Sequence, residues 1–490
     1  MITTSVILTA AIILFTSIFI GRLGNKFGVP TLLLFLVVGM IFGSDGVGIE
    51  FYSAERAQAI GMLALSIILF SGGMETRYKQ IKPVMRQGIV LSTLGVLITT
   101  IITGLFIWWV SGFSFVGLNL SIVISMLLAA TMSSTDSASV FNLLRSQKVN
   151  LKHNLRPTLE LESGSNDPMA YMLTIALIGF TQSGGMNVWG IIGSFFLQFL
   201  VGGAIGWIMG ELSSRLLPKL HISSSSLYSL LLLSLVFFTF SISDILKGNG
   251  YLSVYIAGLI IGNRPLNYKR EVYTFFDGVT TLSQITMFLS LGLLVNPHEM
   301  WSVLPIALLI GFFMMFVARP LTIFLCMIPF RRMGWREKSF ISWVGLKGAV
   351  PIIFATYPVV AGVEGSNIIF NVVFVITLLS LLLQGTTITP LARRLHLDEP
   401  LIDDKSDFGV ELPDDLNVNL SEIKLNEERL AKGNKLKDMN IPRGRLVIMI
   451  KRNKQFLVPD GTMELLPDDI LLIISEDEQN KIQIITESSE

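Results

Sequence analysis

The chain has 490 residues, 51% of them hydrophobic and only 15% charged, and its mean hydropathy of +0.64 is too high for a soluble protein of this length. One cysteine (Cys326) and four histidines (His153, His221, His298 and His396) exclude a disulfide scaffold and a multi-ligand metal site. The net charge of +1 gives no footing for a basic nucleic-acid binder, and no P-loop, Ser/His/Asp or Cys/His constellation points to an enzyme.

A bilayer core of about 30 Å needs about 20 apolar residues in a helix. Thirteen apolar stretches meet or approach this, at 2–21, 30–44, 58–75, 88–110, 119–144, 156–181, 188–212, 225–246, 251–263, 272–295, 302–328, 339–361 and 366–392. The second and ninth are short for a full crossing. The first has neither a basic leader nor an A-x-A cleavage site, so it reads as a retained span. Residues 1–397 hold 25 Lys and Arg against 15 Asp and Glu, whereas residues 398–490 hold 12 against 21, which predicts two domains in two environments.

The basic residues also orient the spans. Alternate loops contain 21 of those 25, from Arg22 and Lys26 through Arg77, Arg145, Arg215, Arg264 and Arg331 to Arg393 and Arg394; the opposite loops contain two, Arg56 and Lys247. Positive charge concentrates on the cytoplasmic side, so the amino terminus is expected outside, the tail in the cytoplasm, and the number of crossings odd.

Few ionisable residues lie inside spans, where each costs at least about 2.5 kcal/mol unless it has a partner or a task. They are Asp136, Glu162, Asp167, Arg319 and Lys347; Glu75, Glu211 and Asp244 lie near span ends. In the sixth span, Glu162-Ser-Gly-Ser-Asn-Asp167-Pro168 offers hard oxygen ligands suited to an alkali cation at Asp167, with Asn166 able to ligate or brace. Pro168 is expected to disturb the helical hydrogen bonds beside it. Glu162 lies about 140° around the helix from Asp167 and is expected to pair with Arg319, direct ion binding by Glu162 being the alternative. Two spans look interrupted. Ala130 to Ser139 is polar in mid-span, and Gly345-Leu-Lys-Gly-Ala-Val-Pro351 places two glycines and a proline around Lys347. Broken helices in corresponding positions of two halves point to a transporter site, and Asp136 and Lys347 would then offset the partial charges of half-helix ends.

Taken in order, these residues resemble the NhaP-type monovalent cation/proton antiporters, in particular the potassium/proton branch with a C-terminal TrkA-C domain. The likeness rests on Glu162-x-x-x-Asn166-Asp167, Thr135-Asp136, Ala318-Arg319-Pro320 and Gly345-Leu-Lys-Gly348, the last having Lys where the family has Arg. It implies an all-α polytopic membrane protein of about 13 transmembrane helices with inverted repeats and two broken helices, forming homodimers and working by alternating access. It further implies that Asp167 binds cation and proton in turn, helped by Ser163, Asn166 and Thr135, that Glu162 and Arg319 form a structural ion pair, and that exchange is electroneutral.

The tail divides into an acidic linker, 398–420, and a compact unit, 421–490. Alternation predicts strands in Arg445–Ile450, Gln455–Val458 and Asp469–Ile474, with turns at Pro459–Gly461 and Leu466–Asp469. This unit resembles a small α/β TrkA-C domain, which implies a regulatory role with a nucleotide-type ligand as one candidate; passive dimer contacts are the alternative. The expected function is exchange of potassium, in preference to sodium, for protons across the bacterial cytoplasmic membrane without a cofactor. A cation channel gated by the tail and a membrane sensor are the rivals that sequence leaves open.

Overall fold

A computed structural model describes residues 4–27, 30–49, 51, 53–113, 119–183, 188–220, 222–400, 419–426, 430, 434–439, 441, 444–453 and 455–475. The chain forms two compact units, Met1–Pro400 and Leu401–Glu490.

The first unit is helical. In chain order it contains α1 (Thr4–Phe27), α2 (Thr31–Phe42), α3 (Ala54–Glu75), α4 (Tyr78–Ile81), α5 (Met85–Val90), α6 (Val96–Ser111), α7 (Ile122–Thr131), α8 (Ser137–Ser146), α9 (Leu155–Gln182), α10 (Val188–Leu216), α11 (Ser225–Ile245), α12 (Gly250–Gly262), α13 (Lys269–Leu294), α14 (Pro297–Phe313), α15 (Arg319–Cys326), α16 (Trp335–Trp343), α17 (Ala349–Val360) and α18 (Ser366–Arg394). Short 3-10 and π turns join α4 to α6, and a π turn joins α14 to α15, so Tyr78–Ser111 and Pro297–Cys326 each run as one long helical stretch. Among the described residues, six stretches are long and apolar enough to cross a membrane: these two, Ala54–Glu75, Trp189–Lys219, Ser225–Ile245 and Ser366–Arg394. Five shorter apolar helices accompany them, among them α7 and α17, the apolar halves of the two interrupted spans.

Local sequence explains many of the helix starts. Ser53, Ser121, Ser224 and Asn249 precede α3, α7, α11 and α12, and each side chain accepts an amide hydrogen bond from the first turn, satisfying a donor that has no partner within the helix. Glycine sets the closest helix approaches. A methyl group at Gly73 of α3 would come within 2.5 Å of the Tyr255 carbonyl of α12, and one at Gly292 of α13 within 2.9 Å of Gly39 in α2. Small residues at such contacts let helix backbones touch, which is how helices associate where lipid removes the hydrophobic drive.

α9 is continuous through Pro168. The proline ring removes one donor, and the helix tolerates that loss in a buried setting. The unit also contains a small sheet: β1 (Val149–Leu151), in the loop between α8 and α9, pairs antiparallel with β2 (Asp398–Pro400), which follows α18 after Leu395, His396 and Leu397. Asp398–Pro400, read from sequence as the start of the acidic linker, is therefore part of a two-stranded ladder. Residues 401–418, the rest of that linker except its last two residues, lie outside the described residues.

The described residues of the second unit include a four-stranded antiparallel sheet, β3 (Asn419–Lys424), β4 (Arg445–Arg452), β5 (Gln455–Leu457) and β6 (Ile470–Ser475), in the order β3-β6-β4-β5. Leu425, Val447, Ile450, Leu465, Leu471 and Ile473 form its core. The three strands expected from alternation are β4, β5 and β6. The fourth, β3, begins at Asn419 inside the predicted linker, where Asn-Leu-Ser-Glu-Ile-Lys has too few apolar residues to announce a strand.

Candidate ion-binding site

The two interrupted spans cross at their breaks. Between α7 and α8 the chain is extended from Ser133 to Asp136, and between α16 and α17 it is extended from Gly345 to Gly348. The Asp136 amide donates to the Leu346 carbonyl at 2.8 Å, and Lys347 Nζ donates to the Ser134 carbonyl at 2.9 Å. Irregular backbone of this kind is stable at membrane depth only when its polar groups find partners in protein, and here each break supplies them to the other. Polar residues of α18 complete the set. Ser380 Oγ accepts from the Lys347 amide at 2.9 Å, and Gln384 Nε2 donates to the carbonyl of Trp343, the last residue of α16, at 2.8 Å.

Asp136 and Lys347 do not bond to one another. The Asp136 carboxylate caps α8, accepting from the Ser139 amide at 3.0 Å and from the Ser139 hydroxyl, while the Lys347 ammonium meets a carbonyl just beyond α7. Each charge thus faces the helix end of opposite partial charge. The glycines of the second break do more than interrupt a helix. A methyl group at Gly345 would stand 2.8 Å from Arg319 Nε, and one at Gly348 2.5 Å from Asp136 Oδ2, so both positions must be bare for these side chains to reach the crossing. Pro351 falls in the first turn of α17, where it removes no helical hydrogen bond.

α9 passes beside the crossing and presents Ser163, Asn166 and Asp167 to the first break. Ser163 Oγ donates to the Thr135 carbonyl at 2.7 Å and accepts from the Ser137 amide at 3.0 Å. Asn166 Nδ2 donates to Thr135 Oγ1 at 2.5 Å. Ser163 and Asn166 therefore hold the extended segment against α9. Asp167, 7% exposed, accepts from the Ser134 hydroxyl through Oδ1 and has no ion pair among the described residues. On another face of α9, Glu162 is ion-paired with Arg319, which opens α15 immediately after the π turn of Met314–Ala318. Arg319 Nε has no hydrogen-bond partner among the described residues, and the guanidinium meets Glu162 through Nη2.

Sequence reasoning had singled out Asp167, Asn166, Ser163, Thr135, Glu162, Arg319, Asp136 and Lys347, and the structure places all eight at or beside the crossing. It missed Ser134, Ser380 and Gln384. Ser134 sat within the polar decapeptide but looked no different from its neighbours, since its contact with Asp167 depends on the direction of extended backbone. Ser380 and Gln384 carried only a weak signal, two polar residues four apart in a helix that also holds Asn371, Thr377, Thr386, Thr387 and Thr389.

Crossed broken helices around a buried carboxylate define a membrane ion transporter. Residues 10–394 match the family described as "Sodium/hydrogen exchanger, transmembrane", and residues 420–482 match the TrkA-C domain. The chain belongs to the sodium/hydrogen exchanger family and is a multi-pass membrane protein with a TrkA-C domain. It is 36% identical over 483 residues to "K(+)/H(+) antiporter NhaP2" of Shewanella oneidensis, covering 96% of this chain and 81% of that one. It is 40% identical over 395 residues to "K(+)/H(+) antiporter NhaP" of Alkalimonas amylolytica, covering 80% of this chain and 67% of the relative. Its fold is similar to that of the sodium proton antiporter MjNhaP1 from Methanocaldococcus jannaschii, with a TM-score of 0.67 at 21% identity over 78% of this chain and 98% of that one.

Proposed function

We propose that the protein exchanges potassium, in preference to sodium, for protons across the bacterial cytoplasmic membrane, with one cation and one proton competing for Asp167. The observation that carries this reading is a buried carboxylate at the crossing of two helix breaks, bonded to a hydroxyl and to no basic group. A carboxylate saturated by a guanidinium has no use for a cation; one held by a neutral hydroxyl must take either a proton or a cation to be stable in a dry site. Competition between the two couples their fluxes and makes the exchange electroneutral. Asp167 and Ser134 supply the ligands, Ser163, Asn166 and Thr135 keep the extended segment in place, and Glu162 with Arg319 fixes α9 against α15. The potassium preference rests on the two relatives whose names specify potassium.

The amino terminus lies outside and the TrkA-C unit in the cytoplasm, as the basic loops indicate. Homodimers and a small-molecule regulator of the tail belong to the same reading. Purified protein in liposomes, with the membrane voltage clamped, tests it against a channel: an antiporter moves protons in fixed ratio to potassium, whereas a channel carries potassium current without proton flux. Truncation after Pro400, which keeps β2 paired with β1, is expected to leave exchange intact while shifting its pH or ligand dependence; an inactive truncation would make the tail structural.

A further inference from the structure

Beyond α18 the chain does not leave the first unit at once. Leu395 and Leu397 are buried, and β2 then pairs with β1 in the loop between α8 and α9. Val149, Asn150 and Leu151 face Pro400, Glu399 and Asp398, and the Lys152 amide extends the ladder by donating to the Leu397 carbonyl at 3.0 Å. Bonded and non-bonded pairs alternate in an antiparallel ladder, so Asn150 and Glu399 exchange hydrogen bonds, while Pro400, which has no amide to give, falls at a non-bonded pair. Val149, Leu151 and Leu397 belong to the main hydrophobic core.

This short ladder ties together the elements that build the ion site. β1 is joined on one side to α8, which the Asp136 carboxylate caps, and on the other to α9, which carries Ser163, Asn166 and Asp167. β2 continues α18, whose Ser380 and Gln384 hold the second break. α16, which leads into that break, is fastened to the same loop, because His153 Nδ1 lies 2.9 Å from Oε1 of Glu337 in its first turn. The backbone here is strained. Lys148, His153 and Asn154 around β1 and His396 before β2 have φ between 54° and 60°, four of the nine non-glycine residues with positive φ among the described residues. Left-handed backbone at such residues persists only where the surroundings impose it, and it concentrates in segments that switch.

We propose that the β1–β2 ladder is the catch through which the TrkA-C unit regulates exchange: load on the chain beyond Pro400 peels β2 from β1 and so uncouples α18 from the loop that joins α8 to α9. The inference rests on the reading that the tail regulates transport, and it names the element that carries the signal. Three residue pairs make too small a sheet to be stable by itself, so closure depends on the packing of Val149, Leu151 and Leu397, and the ladder belongs to the parts of a fold that open at least cost. Load enters at the Pro400 end, where the ladder stops at a non-bonded pair, while buried Leu397 anchors the other end; the pairs therefore open in succession from Pro400. With the ladder closed, the two breaks move as one; with it open, they shift independently.

Potassium-driven proton movement in everted vesicles, followed over a range of pH with full-length variants, tests this. Leu151 and Asp398 form a non-bonded pair, whose close Cα approach suits a disulfide, and the native Cys326 is buried and does not compete. Oxidised L151C/D398C, its ladder locked, should shift the pH profile, and reductant should return it to that of the wild type. A flexible spacer of about ten Gly and Ser residues inserted after Pro400 slackens the tail with the ladder intact and should bring the wild type to the same shifted profile. N150P removes the central donor and opens the ladder, so the same spacer should have no effect in that background. If oxidation and the spacer leave the profile where it was while truncation after Pro400 shifts it, the proposal is overturned, as it is if the spacer shifts N150P as far as the wild type. The cysteine pair and the spacer decide the matter should N150P fail to insert. An unchanged profile on truncation would instead refute regulation by the tail, and the inference with it.

Discussion

Glu162 and Asp167 lie five residues apart on one helix, at 1% and 7% exposure, and carry the same functional group, yet their surroundings assign them opposite work. Glu162 has a guanidinium, a partner that never gives up its proton, so its charge is permanently answered. Asp167 has a serine hydroxyl and an ammonium nearby that is committed to a backbone carbonyl. Burial alone therefore does not mark a transport site. On the proposed reading the partner's exchangeability does: a carboxylate whose compensating charge is built into the protein serves as architecture, and one whose compensating charge must come from solution serves as a binding site.

The largest test of this contrast is Asp167→Asn. An amide keeps the shape and the Ser134 contact but can bind neither proton nor cation in exchange, so transport in everted vesicles should be abolished while the protein inserts normally. Full exchange by that variant would collapse the distinction. Breaking the other carboxylate should look different. Arg319→Ala leaves Glu162 buried and uncompensated and should cost about 3 to 5 kcal/mol of stability, seen as a lowered unfolding temperature in detergent. Removing both charges together, Glu162→Leu with Arg319→Leu, should recover much of that loss, because a buried pair contributes little over well-packed apolar residues. If the double variant were folded but inactive, Glu162 would belong to the ion site after all, the alternative that sequence left open.

Smaller effects sharpen the account. Ser134→Ala removes a hydrogen bond to a charged oxygen, a contact worth about 1.5 to 3 kcal/mol, and should weaken cation affinity about tenfold while leaving stability nearly unchanged. Thr135 and Ser163 variants should do the reverse, since those side chains brace backbone. The smallest expected effect is at the opposite end of the helices, where Asp45 accepts from the His298 amide at 3.0 Å and lies 2.9 Å from its ring nitrogen. Those hydrogen bonds hold the Asp45 carboxyl below its usual range. A lowered carboxylate pKa means the clip contributes above about pH 4 and is lost as pH falls through the folded-state value. Wild type should therefore lose a little more thermal stability than Asp45→Asn on acidification from pH 5 to pH 3; equal losses would show the clip to be inert.

Much of this architecture was legible in the sequence because the membrane makes charge scarce. Five ionisable residues inside apolar stretches drew attention to Asp136, Glu162, Asp167, Arg319 and Lys347 before any geometry was available, and the two breaks were visible as polar or Gly/Pro-rich interruptions. What could not be read was which backbone groups each charge would answer. Asp136 and Lys347 were expected to answer half-helix ends, but which groups each would meet, the first turn of α8 for Asp136 and the Ser134 carbonyl for Lys347, is fixed by the path of extended chain. Glycine 345 and glycine 348 read as helix breakers, and the close approach of Arg319 and Asp136 that also requires them appears only in three dimensions. The tail shows the same limit: Ile- and Leu-rich β4 and β6 stand out, while β3, half polar, is recruited by the edge of β6.

The most direct test of the central claim is proton release on cation binding. Potassium or sodium added to the purified protein in weakly buffered detergent, at several pH values, should release one proton per cation bound, with the apparent cation affinity falling as pH is lowered, and Asp167→Asn should release none. Cation binding without proton release in the wild type, or undiminished release from Asp167→Asn, would contradict competition at Asp167.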